Sequence, residues 1–230
     1  MRDTIARCET TAHAEGLAAG LTQALAAARD GFSPPGRVAA LPADRVPPGA
    51  AAVRNRLAER EGIGCFVWPG REAERPHHVR PGREAERPHH VRPGREAERP
   101  HHDSASDDTT TEFAVLLGAV RLGATRRLLE HAVTHLSGRT VGGEPTLRKQ
   151  LVLGTVADVM TGVEAARHAL LTGADVPDAV ADTHERLTEL DWETTKLLGA
   201  SGYLADGPAR TAHVSRLLAD CWVAAPGGTP

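Results

Sequence analysis

The sequence has few aromatic residues, since Phe, Trp and Tyr together make up 3% of its 230 residues. A hydrophobic core must therefore be built from Ala, Leu and Val. Such a composition favours closely packed helices over a β-sandwich, whose strands are rich in aromatic and β-branched residues. The chain is long enough to bury a core of this kind. The composition thus predicts an all-α protein.

Cysteine is also scarce, and the three residues Cys8, Cys65 and Cys221 are far apart in the chain. Their number is odd and no CxxC pair occurs, so neither a disulfide framework nor a zinc knuckle is indicated. Free cysteines suit a reducing compartment. We therefore expect a cytoplasmic location.

Long apolar runs and a large excess of one charge are absent as well. The longest apolar stretch, FAVLLGAV at 113–120, is far shorter than the ~20 residues that cross a bilayer. The opening residues MRDTIARCETTAHAEG contain no apolar segment of a secretory signal. The formal net charge is −3, which does not indicate general affinity for nucleic acid or anionic membranes. We expect neither as a partner.

A repeat is the most conspicuous feature that the sequence does contain. PGREAERPHHVR fills residues 69–80, recurs at 81–92 and begins a third time at 93. Its prolines and glycines interrupt helices and its apolar surface is small, so we predict a disordered linker. The polar run DSASDDTTT extends this linker to residue 111.

Histidines raise the alternative of a metal-binding protein. The repeat holds paired histidines, which are good ligands for transition metals. No carboxylate–cysteine set completes a site, so we favour a duplicated, solvated linker and predict no metal centre. His131 and His135 have the spacing of a helical zinc pair, but the H-E-x-x-H glutamate is missing. We interpret these two histidines as a surface pair.

Residues 1–68 predict a small helical segment. An apolar stripe from Ile5 to Leu25 has helical spacing. The following stretch, SPPGRVAALPADRVPPGA, is rich in proline and is predicted to be irregular. A short helical turn in AAVRNRLAEREG and one strand in GIGCFVW complete the segment.

Residues 112–230 predict an up-and-down four-helix bundle. Helical periods with short links run from Phe113 to Gly138, from Pro145 to Thr172, from Pro177 to Gly199 and from Pro208 to Val223. We assign Leu151 to the core stripe of the second helix. The arginines of the first helix are assigned to a solvated face; they are Arg121, Arg126 and Arg127.

The links between these helices carry a further pattern. GRTVGGEP separates the first two helices, KLLGASGYLADGP follows the third, and SRLLADCW lies in the fourth. In this order they resemble the C-terminal α-domain of the acyl-CoA dehydrogenase family, where the segments read R-x-F-G-x-P, Q-x-x-G-G-x-G-Y and R-x-x-R-D-A. The resemblance covers about half of the chain, residues 112–229. It implies a shortened member in which the repeat replaces the middle β-domain and residues 1–68 are a remnant of the N-terminal domain.

The resemblance also implies a chemistry. Members of that family bind FAD between this bundle and the β-domain, with help from a neighbouring subunit. They remove a proton α to an acyl thioester and pass a hydride to the flavin. We therefore expect FAD, an acyl-CoA or acyl-carrier thioester substrate and a homo-oligomer. Carried over by motif, the cofactor-binding positions are Arg139, Val141 (usually aromatic), Lys196 (usually glutamine), Gly199, Ala200 and Thr229.

The catalytic base requires a separate assignment. The family's tail glutamate is absent, because AAPGGTP has Gly227 or Gly228 at that point. A branch that includes isovaleryl-type enzymes also has glycine there and carries its glutamate at the start of the first bundle helix. Glu112 matches that position within one residue, so we expect it to be the base. Its alternative role is to stabilise the N-terminus of its helix electrostatically.

Two functions therefore remain open at the level of sequence. The first is an acyl-CoA dehydrogenase-like flavoprotein, active alone or with a partner that completes the site. The second is a non-catalytic helical oligomerisation module derived from the same family.

Overall fold

A computed structural model describes residues 1–28, 36–69 and 104–223, and only the backbone of 104–110. The N-terminal elements are α1 (Arg2–Glu15), α2 (Leu17–Ala27), β1 (Val38–Pro42), β2 (Ala51–Val53), α3 (Arg56–Arg60) and β3 (Ile63–Val67). The C-terminal elements are α4 (Ser104–Gly138), β4 (Thr140–Val141), β5 (Glu144–Pro145), α5 (Gln150–Thr172), α6 (Pro177–Leu197) and α7 (Arg210–Trp222). The predicted all-α class is confirmed. Most of the predicted repeat linker lies outside the described residues.

Helices α4 to α7 form the predicted four-helix bundle. Helix α4 contacts each of the other three. Leu117, Val163, Leu187 and Leu218, one from each helix, are fully or almost fully buried. Helix α4 begins at Ser104, about two turns before Phe113. The apolar period begins only at Phe113, so the pattern could not reveal the polar first turns.

Leu151 is 87% exposed, so its assignment to the core of α5 is wrong. The buried face of α5 includes Val159 and Val163. At ~100° per residue, Leu151 lies about 80° from Val159 around the helix. Leu151 therefore falls beside the buried stripe, in the first turn of α5.

The N-terminal helices pack directly on the bundle. The predicted stripe from Ile5 to Leu25 is divided at Gly16, whose φ of 100° ends α1 and begins α2. Ile5 and Leu21 are buried in the same hydrophobic core as Leu117. A Cβ on Gly123 of α4 would lie 2.2 Å from the carbonyl oxygen of Glu9 in α1. Only glycine allows this close approach of the two helices.

A buried carboxylate on α1 also forms hydrogen bonds to the bundle. The carboxylate of Glu9 accepts a hydrogen bond from Arg126 Nη1 at 2.8 Å and from Arg167 Nε at 3.1 Å. Burial raises the pKa of Glu9, but the hydrogen bonds and charges of Arg167 and Arg126 outweigh it, and the net pKa is lowered. Arg126 therefore pairs with α1, although its side chain is still 37% exposed, so its assignment to a solvated face holds only in part.

The N-terminal region also contains a three-stranded antiparallel sheet in the order β1-β3-β2. The strand predicted in GIGCFVW is confirmed as β3, and the helical turn is confirmed as α3. The proline-rich stretch is not wholly irregular, because Val38–Pro42 forms β1. Pro42 is tolerated there because it ends an edge strand. The carbonyl of Ala40 accepts a hydrogen bond from Trp222 Nε1 at 2.8 Å, which joins β1 to α7.

None of the helices in the described ranges combines the length and apolarity that a bilayer crossing requires.

Candidate functional site

The first candidate site lies where the ends of α4 and α6 meet. Arg139 directly follows α4, and Gly199 begins a 3₁₀ turn, Gly199–Tyr203, after α6. Arg139 Nη1 lies 3.8 Å from the position that a Cβ on Gly199 would occupy. Together with Val141 and Ala200 we call these residues the Arg139–Gly199 cluster. The structure thus brings together two residues that are far apart in the sequence.

A tight hairpin holds Arg139 in place. Strands β4 and β5 pair through Val141 and Glu144, and both residues of the connecting turn, Gly142 and Gly143, have positive φ. The amide of Thr146 donates to the carbonyl oxygen of Arg139 at 2.7 Å, and its hydroxyl donates to the same atom at 2.9 Å. The backbone of Arg139 is therefore anchored, while its side chain is exposed.

The turn after α6 is equally constrained. A Cβ on Gly202 would lie 2.5 Å from the carbonyl oxygen of Thr195, so the chain can fold back only with glycine there. The hydroxyl of Ser201 donates to the carbonyl of Leu198 at 2.6 Å. Gly199 itself has φ 58°, in the left-handed region that favours glycine. These constraints hold the glycine backbone beside the guanidinium.

The remaining carried-over positions are arranged less closely. Val141 is 52% exposed, and Ala200 is exposed as well. Lys196 Nζ lies 2.6 Å from Glu193 Oε1 in an exposed ion pair. Thr229 lies outside the described residues. Arg139 and Gly199 are therefore the two carried-over positions for which the structure records direct proximity.

The electrostatics of the cluster favour an anion. No carboxylate within the described residues lies within ion-pair distance of Arg139, so its charge is not neutralised by a neighbour. The exposed guanidinium of Arg139, beside the half-buried Gly199, can donate hydrogen bonds to phosphate oxygens. A pyrophosphate is the kind of group that this geometry can hold.

Glu112 lies at the other end of the bundle. At 1.5 Å per residue, Glu112 and Arg139 are separated by about 40 Å along α4. Next to the half-buried Glu112, Phe113 packs on Trp222 at the end of α7, with ring centroids 4.8 Å apart. Because Glu112 lies about two turns inside α4, the alternative role at the helix N-terminus is wrong.

A buried polar network was missed at the level of sequence. Arg121 was assigned to a solvated face, but it is completely buried between α4, α6 and α7. Its Nε donates to Ser215 Oγ at 3.0 Å, and its Nη2 donates to Thr188 Oγ1 at 2.7 Å. Arg121 follows Leu117 by four residues and therefore lies on the core face. That position was the available signal.

His184 extends this network as a neutral imidazole. Its Nε2 lies 2.9 Å from the carbonyl oxygen of Ala114, so Nε2 must carry the proton. Nδ1 can then accept a hydrogen bond from Arg121 Nη1 at 3.0 Å. Burial and the charge of Arg121 lower the pKa of His184 to about 3, which keeps the ring neutral.

Asp191 supplies the negative charge of the network. Its Oδ1 accepts a hydrogen bond from Thr125 at 2.7 Å, while Oδ2 is buried and has no hydrogen-bond partner. Burial raises the pKa of Asp191 to about 6, although the charge of Arg121 and the nearby hydroxyls of Thr125 and Ser215 act in the opposite direction. The network therefore joins three helices through a cation and a carboxylate in the core.

The histidines of α4 do not assemble into a metal centre in the described part of the chain. His131 is exposed and His135 is half-buried. The described ranges contain no group of three His, Cys, Asp or Glu side chains that could hold a metal ion.

Comparison with a protein-family profile adds information to this geometry. Residues 107–228, just over half of the chain, match the profile described as "Acyl-CoA dehydrogenase, C-terminal domain". No curated protein matches the chain.

The solved structures with a similar fold include the following three. A Tcur3481-Tcur3483 steroid ACAD has a TM-score of 0.52 at 19% identity, and the match covers 79% of this chain and 46% of that chain. The prolyl acyl carrier protein oxidase AnaB has a TM-score of 0.51 at 14% identity, with 79% and 47% coverage. The ChsE4-ChsE5 complex from Mycobacterium tuberculosis has a TM-score of 0.50 at 18% identity, also with 79% and 47% coverage. This chain therefore spans about half the length of the structures that it matches.

Proposed function

The chain belongs to the acyl-CoA dehydrogenase family, and from this membership we propose that it is a flavoprotein that acts on an acyl thioester. The reaction would be the FAD-dependent α,β-dehydrogenation of an acyl-CoA or an acyl group on a carrier protein. The observation that supports the proposal is the Arg139–Gly199 cluster, in which an exposed guanidinium without a carboxylate partner lies beside a glycine of the turn after α6.

The cluster fits the pyrophosphate of FAD. Arg139 would donate hydrogen bonds to a phosphate oxygen, and the absence of a side chain at Gly199 leaves room for the phosphate to approach the backbone. Val141, half exposed on the adjoining hairpin, would offer an apolar contact where an aromatic residue is usual. Bound FAD would supply the hydride acceptor of the reaction.

Glu112 is the proposed base of the same reaction. Its carboxylate would take the proton from the carbon α to the thioester carbonyl. The separation of about 40 Å from Arg139 exceeds what one bound dinucleotide spans. We infer that Glu112 of one subunit and the Arg139–Gly199 cluster of another serve one site. A second chain is therefore part of the proposal, either another copy or a longer acyl-CoA dehydrogenase-like subunit.

FAD binding provides a direct test. The purified full chain, incubated with FAD and then desalted, should retain flavin absorbance that corresponds to roughly one flavin per site. Arg139→Met should weaken FAD binding by roughly tenfold or more, because it removes a charge-assisted hydrogen bond to phosphate. Arg148→Met is the matched control, since Arg148 is an exposed arginine on the neighbouring 3₁₀ turn.

A chain that retains no FAD, alone or mixed with a longer acyl-CoA dehydrogenase-like subunit, would contradict the proposal. Equal loss of FAD binding in Arg139→Met and Arg148→Met would contradict the assignment of the cluster. Bleaching of the flavin on addition of an acyl-CoA, abolished in Glu112→Gln, would support the assigned base.

The exposed surface of α5 favours a second function, that of a non-catalytic oligomerisation module. Leu153 and Met160 are 49% and 56% exposed and lie two turns apart on one side of the helix. Large exposed apolar side chains that lie together are typical of contact surfaces between proteins. A second copy of this chain is the proposed partner.

Light scattering during gel filtration tests this surface. The native chain should form a dimer or a larger oligomer, and Leu153→Lys combined with Met160→Lys should shift it toward the monomer by roughly tenfold or more in dissociation constant. The control is Val176→Lys, since Val176 is 51% exposed but lies at the start of α6. An oligomer that binds no FAD would support the module over the flavoprotein. A monomeric native chain would contradict the module.

A further inference from the structure

The exposed side of α5 has a regular order of charged and apolar side chains. Leu153, Ala157, Met160 and Glu164 follow one another at steps of three or four residues, and all four are exposed. At ~100° per residue, they lie within about 40° of Leu153 around the helix axis. Lys149, which directly precedes α5 and is 43% exposed, extends the line by one turn. We call these five residues the Lys149–Glu164 face.

The Lys149–Glu164 face has opposite charges at its two ends. Its lysine and its glutamate are about 22 Å apart along the helix, and the small or apolar residues lie between them. A second copy of the face in the antiparallel direction would bring each lysine to a glutamate, whereas a parallel copy would bring like charges together. The face is therefore complementary to itself in the antiparallel direction.

One alignment of two such faces satisfies both kinds of contact. When Lys149 lies opposite Glu164, Leu153 lies opposite Met160, because both pairs are centred between residues 156 and 157. A twofold axis at that point would produce each contact twice. Ala157 lies beside the axis, and its small side chain would allow the two helices to approach closely.

Both charged groups of the face can accept a further partner. Lys149 Nζ lies 3.6 Å from Glu144 Oε2, and both side chains are exposed. Glu164 pairs through Oε2 with Arg167, which is also hydrogen-bonded to the buried Glu9. Such exposed ion pairs contribute little to stability. An ammonium has three donor hydrogens and a carboxylate accepts on both oxygens, so each group can bind a second partner.

We propose that two copies of this chain pair through antiparallel α5 helices, with Lys149 opposite Glu164 and Leu153 opposite Met160. This inference rests on the oligomerisation module proposed above and specifies how its two copies meet. A contact of about four helical turns buries less surface than a standard interface of about 1,600 Å². We therefore expect a reversible dimer.

An exchange of charges tests the pairing, with the dissociation constant measured by sedimentation velocity. Lys149→Glu and Glu164→Lys should each weaken the dimer roughly tenfold or more, because like charges then lie opposite each other. The double variant should recover the native dissociation constant within roughly twofold, because opposite charges face each other again. Asp158→Lys is the control, since Asp158 is exposed on α5 but lies about 140° away from Leu153.

A disulfide provides an independent measure of the register. With glutathione disulfide as the oxidant, Ala157→Cys should give a covalent dimer, because the two introduced cysteines lie on either side of the twofold axis. Ala165→Cys is the matched control, since residue 165 is also exposed on α5. In the proposed register its two copies are about 25 Å apart along the helices, so they should not form a disulfide.

The outcomes separate this inference from the module on which it rests. Failure of the double charge variant to recover the dimer, or equal disulfide formation in Ala157→Cys and Ala165→Cys, would overturn the register. A dimer that is disrupted by Leu153→Lys with Met160→Lys, but is unaffected by either charge variant, would overturn the register and leave the module standing. A monomeric native chain would overturn both.

Discussion

Replacement of Arg121 by methionine should lower the free energy of unfolding by about 3–5 kcal/mol. Arg121 is completely buried, and its guanidinium donates hydrogen bonds to Ser215, His184 and Thr188. Methionine fills part of the volume but leaves the buried carboxylate of Asp191 without a compensating charge. Chemical denaturation followed by circular dichroism measures the loss.

The destabilisation caused by Arg121→Met should also depend on pH, and it should increase as the pH rises. Burial already raises the pKa of Asp191 from its usual 3.8 to about 6, and loss of the Arg121 charge must raise it further. A carboxyl whose folded-state pKa is raised contributes stability at low pH that is lost as the pH rises through that value. The destabilisation of Arg121→Met should therefore be smaller at pH 5 than at pH 8.

Two further variants separate this charge effect from a packing effect. Arg186 is an exposed arginine on α6 that pairs with Glu189 at 2.8 Å, and Arg186→Met should cost less than about 1 kcal/mol. The double variant with Arg121→Met and Asp191→Leu should lose less stability than Arg121→Met alone, because no unpaired charge remains buried. A double variant that is no more stable than the single one at pH 8 would show that the charge of Asp191 is not the cause.

Replacement of Gly123 by alanine should destabilise the protein by about 3 kcal/mol. The added Cβ would lie 2.2 Å from the carbonyl oxygen of Glu9 and 2.9 Å from the amide nitrogen of His13. Both are backbone atoms of α1, so no side-chain rotation can relieve the overlap. Helix α1 must move away from α4, and the contacts of Ile5 with the shared core are weakened.

Gly154 provides the matched control for this substitution. It lies in α5 with no atom within 4 Å of an added Cβ, so Gly154→Ala should stabilise the helix by about 0.5–1 kcal/mol. Limited trypsin digestion at Arg7 should accelerate in Gly123→Ala but not in Gly154→Ala. Equal stability of the two variants would contradict the close packing of α1 on α4.

Helix periods and capping residues made much of the bundle predictable. Phe113, Leu117 and Leu128 recur at helical spacing, and glycine follows α5 at Gly173, so all four bundle helices end within about two residues of the predicted positions. The start of α4 could not be predicted, because its first turns are polar. The strand β1 was hidden by prolines, whose usual effect is overcome when an edge strand pairs with β3.

The candidate site was predictable only in part. The order of the motifs predicted that Arg139 and Gly199 are functional residues, and the fold brings these two residues together. Their proximity depends on how α4 and α6 pack, which no local pattern specifies.

Local sequence therefore accounts for the all-α class, the positions of the bundle helices and the family pattern in their links. These features depend on residues within a few turns of one another, and the local sequence sets their spacing and backbone preferences. Whether Arg121 is exposed or buried, and whether α1 stands apart or packs against Gly123, depend on contacts between distant residues. Such contacts follow from side-chain volume and charge compensation across helices, and they become visible only when the helices are packed.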